Sequence, residues 1–146
     1  MPEECKPTID TGLRGIVVAS TNISKVDGAA GKLIYRGYLV KDLAENTTYE
    51  EVVFLLLYEK LPDPEELAAF RAQLAAERRL PDNVIAALKI FSPDALPMDV
   101  MQAGVAMLAQ DDPDVKKSDR GAYLQMAIRL VAQLATLLAA WRRIRK

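Results

Sequence analysis

The order of apolar and polar positions divides this chain into a short extended opening and a long helical remainder. Between Gly15 and Tyr38 the residues Ile16, Val17, Val18, Thr21 and Ile23 favour extended backbone. Asp27-Gly28 and Gly31 lie between two such runs, which predicts a β-hairpin over about 15–38 with a loop longer than two residues. Residues 1–11 read as a flexible arm. From Leu39 onward the spacing is helical. A short helix spans Leu39 to Glu45, and Thr48 with Glu51 starts a second that stops at Pro62. Asp63-Pro64-Glu65-Glu66 combines an N-cap acid, proline at the first helical position and acids in the first turn. The helix it opens puts Leu67, Phe70, Leu74 and Leu80 on one face and ends at Pro81. Asp82 starts another, which ends at Ser92-Pro93. Pro97 opens a fifth through Met98, Val100, Met101, Val105 and Leu108 to Asp111-Asp112-Pro113. The charged link 114–117 is expected to be solvated, and Ser118 to cap a last helix running to Lys146. The expectation is one mainly α domain over 12–146, helical over about 39–146, with a small N-terminal β-hairpin.

The last helix is apolar around most of its circumference. Between Tyr123 and Trp141 its polar residues are Gln125, Arg129, Gln133 and Thr136, whose near four-residue spacing makes one thin stripe. The helix before it is similar, with small residues Ala103, Gly104 and Ala106 that permit close approach. A chain this short covers two such helices poorly, and large exposed apolar patches mark interfaces. Besides building the core, the two helices are therefore expected to form a dimer contact through Met98, Met101, Val105, Leu108, Leu124, Ile128, Val131, Leu134 and Leu138.

Composition narrows the chemistry. The 146 residues are 51% hydrophobic and 27% charged, as in globular domains. Nineteen Lys and Arg against 20 Asp and Glu leave a net charge of −1, with no overall basic field for nucleic acid or an anionic membrane. There is no histidine, which excludes a His general base, a Ser-His-Asp or Cys-His device and a His metal ligand. One cysteine, Cys5, cannot form an internal disulfide and suits a reducing compartment. The first fifteen residues have no apolar stretch of the signal-peptide kind. The apolar run Leu130 to Trp141 rises about 18 Å as a helix, short of a bilayer core of about 30 Å. A cytoplasmic protein without membrane or nucleic-acid partners is expected. Gly28-Ala29-Ala30-Gly31-Lys32 lacks the spacing and the hydroxyl residue of a phosphate loop. Glu50-Glu51 and Glu65-Glu66 are explained by helix dipoles, and the basic tail Arg142, Arg143, Arg145 and Lys146 by a helix C-terminus. No catalytic, cofactor or metal constellation emerges.

Gly12-Leu13-Arg14-Gly15-Ile16, Thr21 to Gly28, and Gly31-Lys32-Leu33-Ile34-Tyr35-Arg36-Gly37-Tyr38 together resemble the opening of citrate synthases and 2-methylcitrate synthases. The resemblance continues through Asp42 to Glu45, Tyr49 to Val52, Leu61-Pro62, Pro97-Met98-Asp99-Val100 and Tyr123 to Arg143, in the family's order. It implies a multi-helical, citrate-synthase-like large-domain segment from the N-terminal part of a longer protein. It also implies that the last two long helices contribute to a homodimer interface. The family's catalytic histidines and aspartate, and its oxaloacetate-binding arginines, match no residue here. Three positions depart from the pattern: Glu59 stands where a Gly is common before Leu-Pro, Leu96 where a His is common, and Gln102 where an Arg is common.

The parent chemistry condenses an acyl-CoA with a 2-oxo acid. It needs a base for the proton alpha to the thioester and an acid for the carbonyl. The expectation is a segment that is inactive alone, binds no cofactor itself and dimerises. Two alternatives stand beside it. One is a subunit of a split synthase completed by a separate C-terminal chain. The other is a non-enzymatic module that regulates full-length synthases.

Overall fold

The computed structural model describes residues 17 and 19–146. The expected arm, Cys5 and the Gly12 to Ile16 motif lie outside the described residues. Within them, β1 (Ser24–Asp27), β2 (Lys32–Tyr35) and β3 (Tyr38–Leu39) lead into α1 (Val40–Asn46), α2 (Tyr49–Tyr58), α3 (Pro64–Ala76), α4 (Asp82–Leu88), α5 (Pro97–Asp111) and α6 (Arg120–Ile144). The expected hairpin forms, with Val26 opposite Leu33 and Asp27 opposite Lys32. Its loop closes when the Ala30 N–H donates to the Asp27 carboxylate (2.9 Å) and Gly31 takes φ +60°. The third strand was not expected. Arg36-Gly37, both at positive φ, reverses the chain so that Tyr35 and Tyr38 pair. The sheet packs mainly on α1.

Helix starts follow local chemistry. The Asp63 carboxylate accepts from the Glu66 N–H (2.8 Å), and the Glu66 carboxylate accepts from the Asp63 N–H (3.0 Å). The Thr48 N–H donates to Glu51 (2.7 Å) in the same manner. For α6 the cap is Asp119, which accepts from the Ala122 N–H (3.0 Å), rather than the expected Ser118. A carboxylate beside a helix N-terminus adds charge to the capping hydrogen bond. At the end of α2, Glu59 occupies the left-handed C-cap conformation (φ 69°) that favours glycine. Its backbone conformation costs about 1–2 kcal/mol for a residue with a Cβ. Its carboxylate lies 3.5 Å from Arg36 and 3.4 Å from Arg120.

Two buried clusters share α6. Ile128 and Ala132 pack against Val53 and Phe54 of α2 and Phe70 and Leu74 of α3. The Phe70 ring stands edge-on to Phe54 (5.3 Å) and to Tyr58 (6.1 Å). Farther along, Leu137 and Trp141 pack against Val84 and Leu88 of α4 and Val100 and Leu108 of α5. Helices α5 and α6 run antiparallel, with Asp112 held by Arg129 near one end and Gly104 beneath Leu137 farther along. A Cβ on Gly104 would lie 2.5 Å from Leu137 Cδ2, so the absent side chain sets how closely the two helices approach.

The membrane expectation rested on too short a segment. Helix α6 has 25 residues, about 38 Å. By length and composition it is long and apolar enough to cross a bilayer. Its packing against α3, α4 and α5, and the ion-paired Arg129 within it, fit a helix of a packed domain.

Replacing Gly104 by Leu is expected to lower stability by about 1–3 kcal/mol through overpacking. Urea unfolding followed by circular dichroism reads this directly. In the Leu137→Ala background the same change should cost less than the sum of the single effects, because the two side chains compete for one space.

Candidate functional site

The polar stripe of α6 decides which way the helix faces. Gln125 accepts from the Gln73 amide of α3 (3.2 Å), and the Gln133 amide donates to the Arg79 carbonyl (3.2 Å). Arg129 reaches the α5–α6 connection. Its Nε donates to Asp112 Oδ2 (2.9 Å), and its Nη2 donates to Asp112 Oδ1 (2.8 Å) and to Asp114. The Arg129 side chain is only 14% exposed. The link expected to be solvated is therefore clamped. A fork-shaped guanidinium that bridges two carboxylates fixes both position and rotation.

Electrostatics follow from this clamp. The Arg129 hydrogen bonds hold the Asp112 carboxyl below the ordinary aspartate range. The Lys117 ammonium, then Arg129, does the same for Asp114. The two carboxylates in turn hold the Arg129 guanidinium more firmly protonated than usual. These acids are strongly ionised salt-bridge partners, the opposite of a carboxyl raised toward neutrality for proton transfer. Among the described residues no group of three or more Cys, Asp or Glu is arranged to hold a metal ion.

Because the polar stripe turns inward, an apolar face turns outward. Met98, Met101 and Val105 of α5 and Leu134 and Leu138 of α6 line an open groove of about 520 Å³, with Pro97, Asp99 and Gln102 at its edges. Met98 is 77% exposed and Leu138 47%. These five residues are among the nine expected at an interface. The other four lie elsewhere. Leu124 and Val131 are half-buried against the α2–α3 cluster. Leu108 (6% exposed) and Ile128 (0%) are core residues of the single chain and have no surface to offer a partner. Apolar periodicity marked them, but it cannot separate a helix face turned to its own chain from one turned away. Leu96, which was not expected at the surface contact, is 66% exposed and stands just before Met98.

A second open groove, of about 500 Å³, lies where α2, α3 and α6 meet. Tyr49 and Glu50 of α2, Leu74 and Arg78, and Val131, Ala132, Ala135, Ala139 and Arg143 of α6 are among the residues that line it. Sequence reasoning missed it, since its floor is alanine and its charges belong to two distant helix ends.

Comparison with known proteins supplies the family. Residues 12–146 match the family described as "Citrate synthase, C-terminal domain". This chain belongs to the citrate synthase family. It is 39% identical over 140 residues to a 2-methylcitrate synthase of Shewanella oneidensis, a match covering 96% of this chain and 36% of that protein. It is 42% identical over 141 residues to a citrate synthase of Haloferax volcanii, covering 92% of this chain and 37% of that one. Among solved structures, citrate synthase from Pyrobaculum aerophilum superposes with a TM-score of 0.84 at 32% identity, covering 92% of this chain and 36% of that one. Citrate synthase from Thermoplasma acidophilum, solved in a ternary complex with carboxymethyl coenzyme A and oxaloacetate, superposes at 0.86 with 25% identity, covering 95% and 36%. The chain thus spans about a third of the length of the citrate synthases it matches. The expected mainly α fold with a small sheet is that of this family.

The clamp predicts a pH dependence. Both carboxyls are depressed in the folded chain, so their contribution is present above the unfolded aspartate value of about 3.9 and is lost as pH falls through the folded values. Urea midpoints taken from about pH 6 to about pH 2 should fall steeply for the parent. Asp112→Asn should start lower at neutral pH and fall less. Arg129→Met should lose on the order of 1–3 kcal/mol at neutral pH, as expected for charged hydrogen bonds cut at a half-buried site.

Proposed function

We propose that this chain is an opening segment of the citrate synthase large-domain architecture that assembles with a second copy of itself and does not catalyse condensation alone. One observation carries the reading: α6 spends its polar stripe on its own chain and leaves Leu134 and Leu138, with Met98, Met101 and Val105, facing out. An open apolar patch on the surface of a domain marks a contact surface. A two-fold pairing would set this groove against its copy, an arrangement compatible with its nearly uncharged lining. Two departures from the family pattern, Leu96 for His and Gln102 for Arg, fall beside this face and lower its charge.

Inactivity follows from the chemistry. Joining an acyl-CoA to a 2-oxo acid requires a base at the carbon alpha to the thioester and a proton donor at the carbonyl. The sequence has no histidine, and Asp112 and Asp114 at the α5–α6 connection are locked to Arg129. Because the chain spans about a third of its relatives, a second reading stands: a separate chain of the family supplies the missing groups.

Sedimentation velocity over a range of concentrations tests the assembly. The parent and Val26→Glu, a control on the exposed sheet, should sediment as dimers. Leu138→Glu should sediment as a monomer with unchanged circular dichroism, its dissociation constant raised about tenfold or more. Three identical monomers would refute the pairing. With acetyl-CoA and oxaloacetate, the chain alone should release no thiol; turnover would refute the inactivity.

A further inference from the structure

The grooves on the two sides of α6 differ in charge, and that difference separates their occupants. The first groove is apolar with almost no charge. The second has a floor of Ala132, Ala135 and Ala139, a wall formed by buried Leu74, and Arg78 and Arg143 among its lining residues. Alanines at this spacing make a shallow trough that lets another helix approach closely. Among the described residues, Arg78 and Arg143 form no ion pair with any acid. The groove's own acid, Glu50, is shared with Arg71 at 3.9 Å. Helix C-termini account for the positive charges, but not for an apolar floor in the same groove. Two cations lining an apolar trough are poorly satisfied by a second copy presenting the same two cations, since like charges brought together resist association. They suit a helix with an apolar ridge and carboxylates beside it.

We infer that this Arg78–Arg143 groove receives an acid-bearing helix from the part of a citrate-synthase-family chain that these 146 residues do not span. The inference rests on the reading of this chain as a segment of that family, whose relatives carry nearly two-thirds of their length beyond it. It assigns the two grooves to two partners: one to self-pairing, the other to completion of the fold. A helix seated here would bury the alanine floor and place its carboxylates against the two guanidiniums, in the charge-assisted contacts that arginine favours.

The test is co-expression with a tagged portion of the Shewanella oneidensis 2-methylcitrate synthase, the portion this chain does not match. The parent chain and Leu138→Glu should both be captured. Arg78→Glu/Arg143→Glu should be captured at least tenfold less, while Arg78→Lys/Arg143→Lys keeps capture. Both arginines are exposed, so the charge-reversed chain should unfold in urea like the parent and retain the parent's sedimentation behaviour. Equal capture of the charge-reversed chain, or no capture of the parent, would overturn the inference. Loss of capture with Leu138→Glu would overturn the division between grooves. Failure of self-pairing would show in sedimentation without the tagged portion, which separates the two ideas.

Discussion

The arrangement depends on the rotation of α6, and the Arg129 clamp sets that rotation. A 25-residue helix apolar on most sides could bury several different faces at similar hydrophobic gain, because the hydrophobic effect is not directional. Directional bonds remove the ambiguity. Arg129 grips Asp112 and Asp114, Gln133 reaches the Arg79 carbonyl, and Gln125 meets Gln73. Once the stripe faces inward, Ile128 and Ala132 must enter one core cluster and Leu137 and Trp141 the other. Leu134 and Leu138 are left outside. The outward apolar face is thus a consequence of a polar contact on the opposite side.

This arrangement inverts the usual amphipathic helix, in which polar residues meet water and apolar ones meet the core. It leaves apolar surface open on the outer side, where α6 has two open grooves with different electrostatic character. The lining of the α5–α6 groove is apolar but for Asp99 and the neutral Gln102, whereas the groove against α2 and α3 carries Arg78 and Arg143, which form no ion pair among the described residues. In the proposed assembly each open side of α6 has its own partner. The chain spans about a third of the length of the citrate synthases it matches.

Much of the fold was legible locally. Asp27-Gly28 with Gly31 marked the hairpin, and Asp63-Pro64 with Glu66 marked the start of α3. Proline and capping signals placed the starts of α2 to α6 to within a few residues. What escaped was non-local. The polar stripe of α6 was visible, but the sequence has no sign of which side it faces until Asp112 and Asp114 close on Arg129 from across a loop. For the same reason Leu108 and Ile128 were assigned to a surface they do not reach. The Arg36-Gly37 reversal that makes β3 depends on two consecutive positive φ angles, one of them in a non-glycine residue, and propensity does not foresee that. The apolar run Leu130 to Trp141 is shorter than α6 itself, whose charged ends, Arg120 and Arg142 to Arg143, lie beyond it.

The central claim is that the outward face of α5 and α6 is covered in solution. Met98 reports on it directly, being 77% exposed in the single chain and set in the groove. Its oxidation to the sulfoxide by dilute hydrogen peroxide, followed by mass spectrometry, depends on access to the sulfur. Covering predicts that Met98 oxidises several-fold more slowly in concentrated than in dilute solution. An oxidation rate for Met98 that is fast and independent of protein concentration would contradict the account.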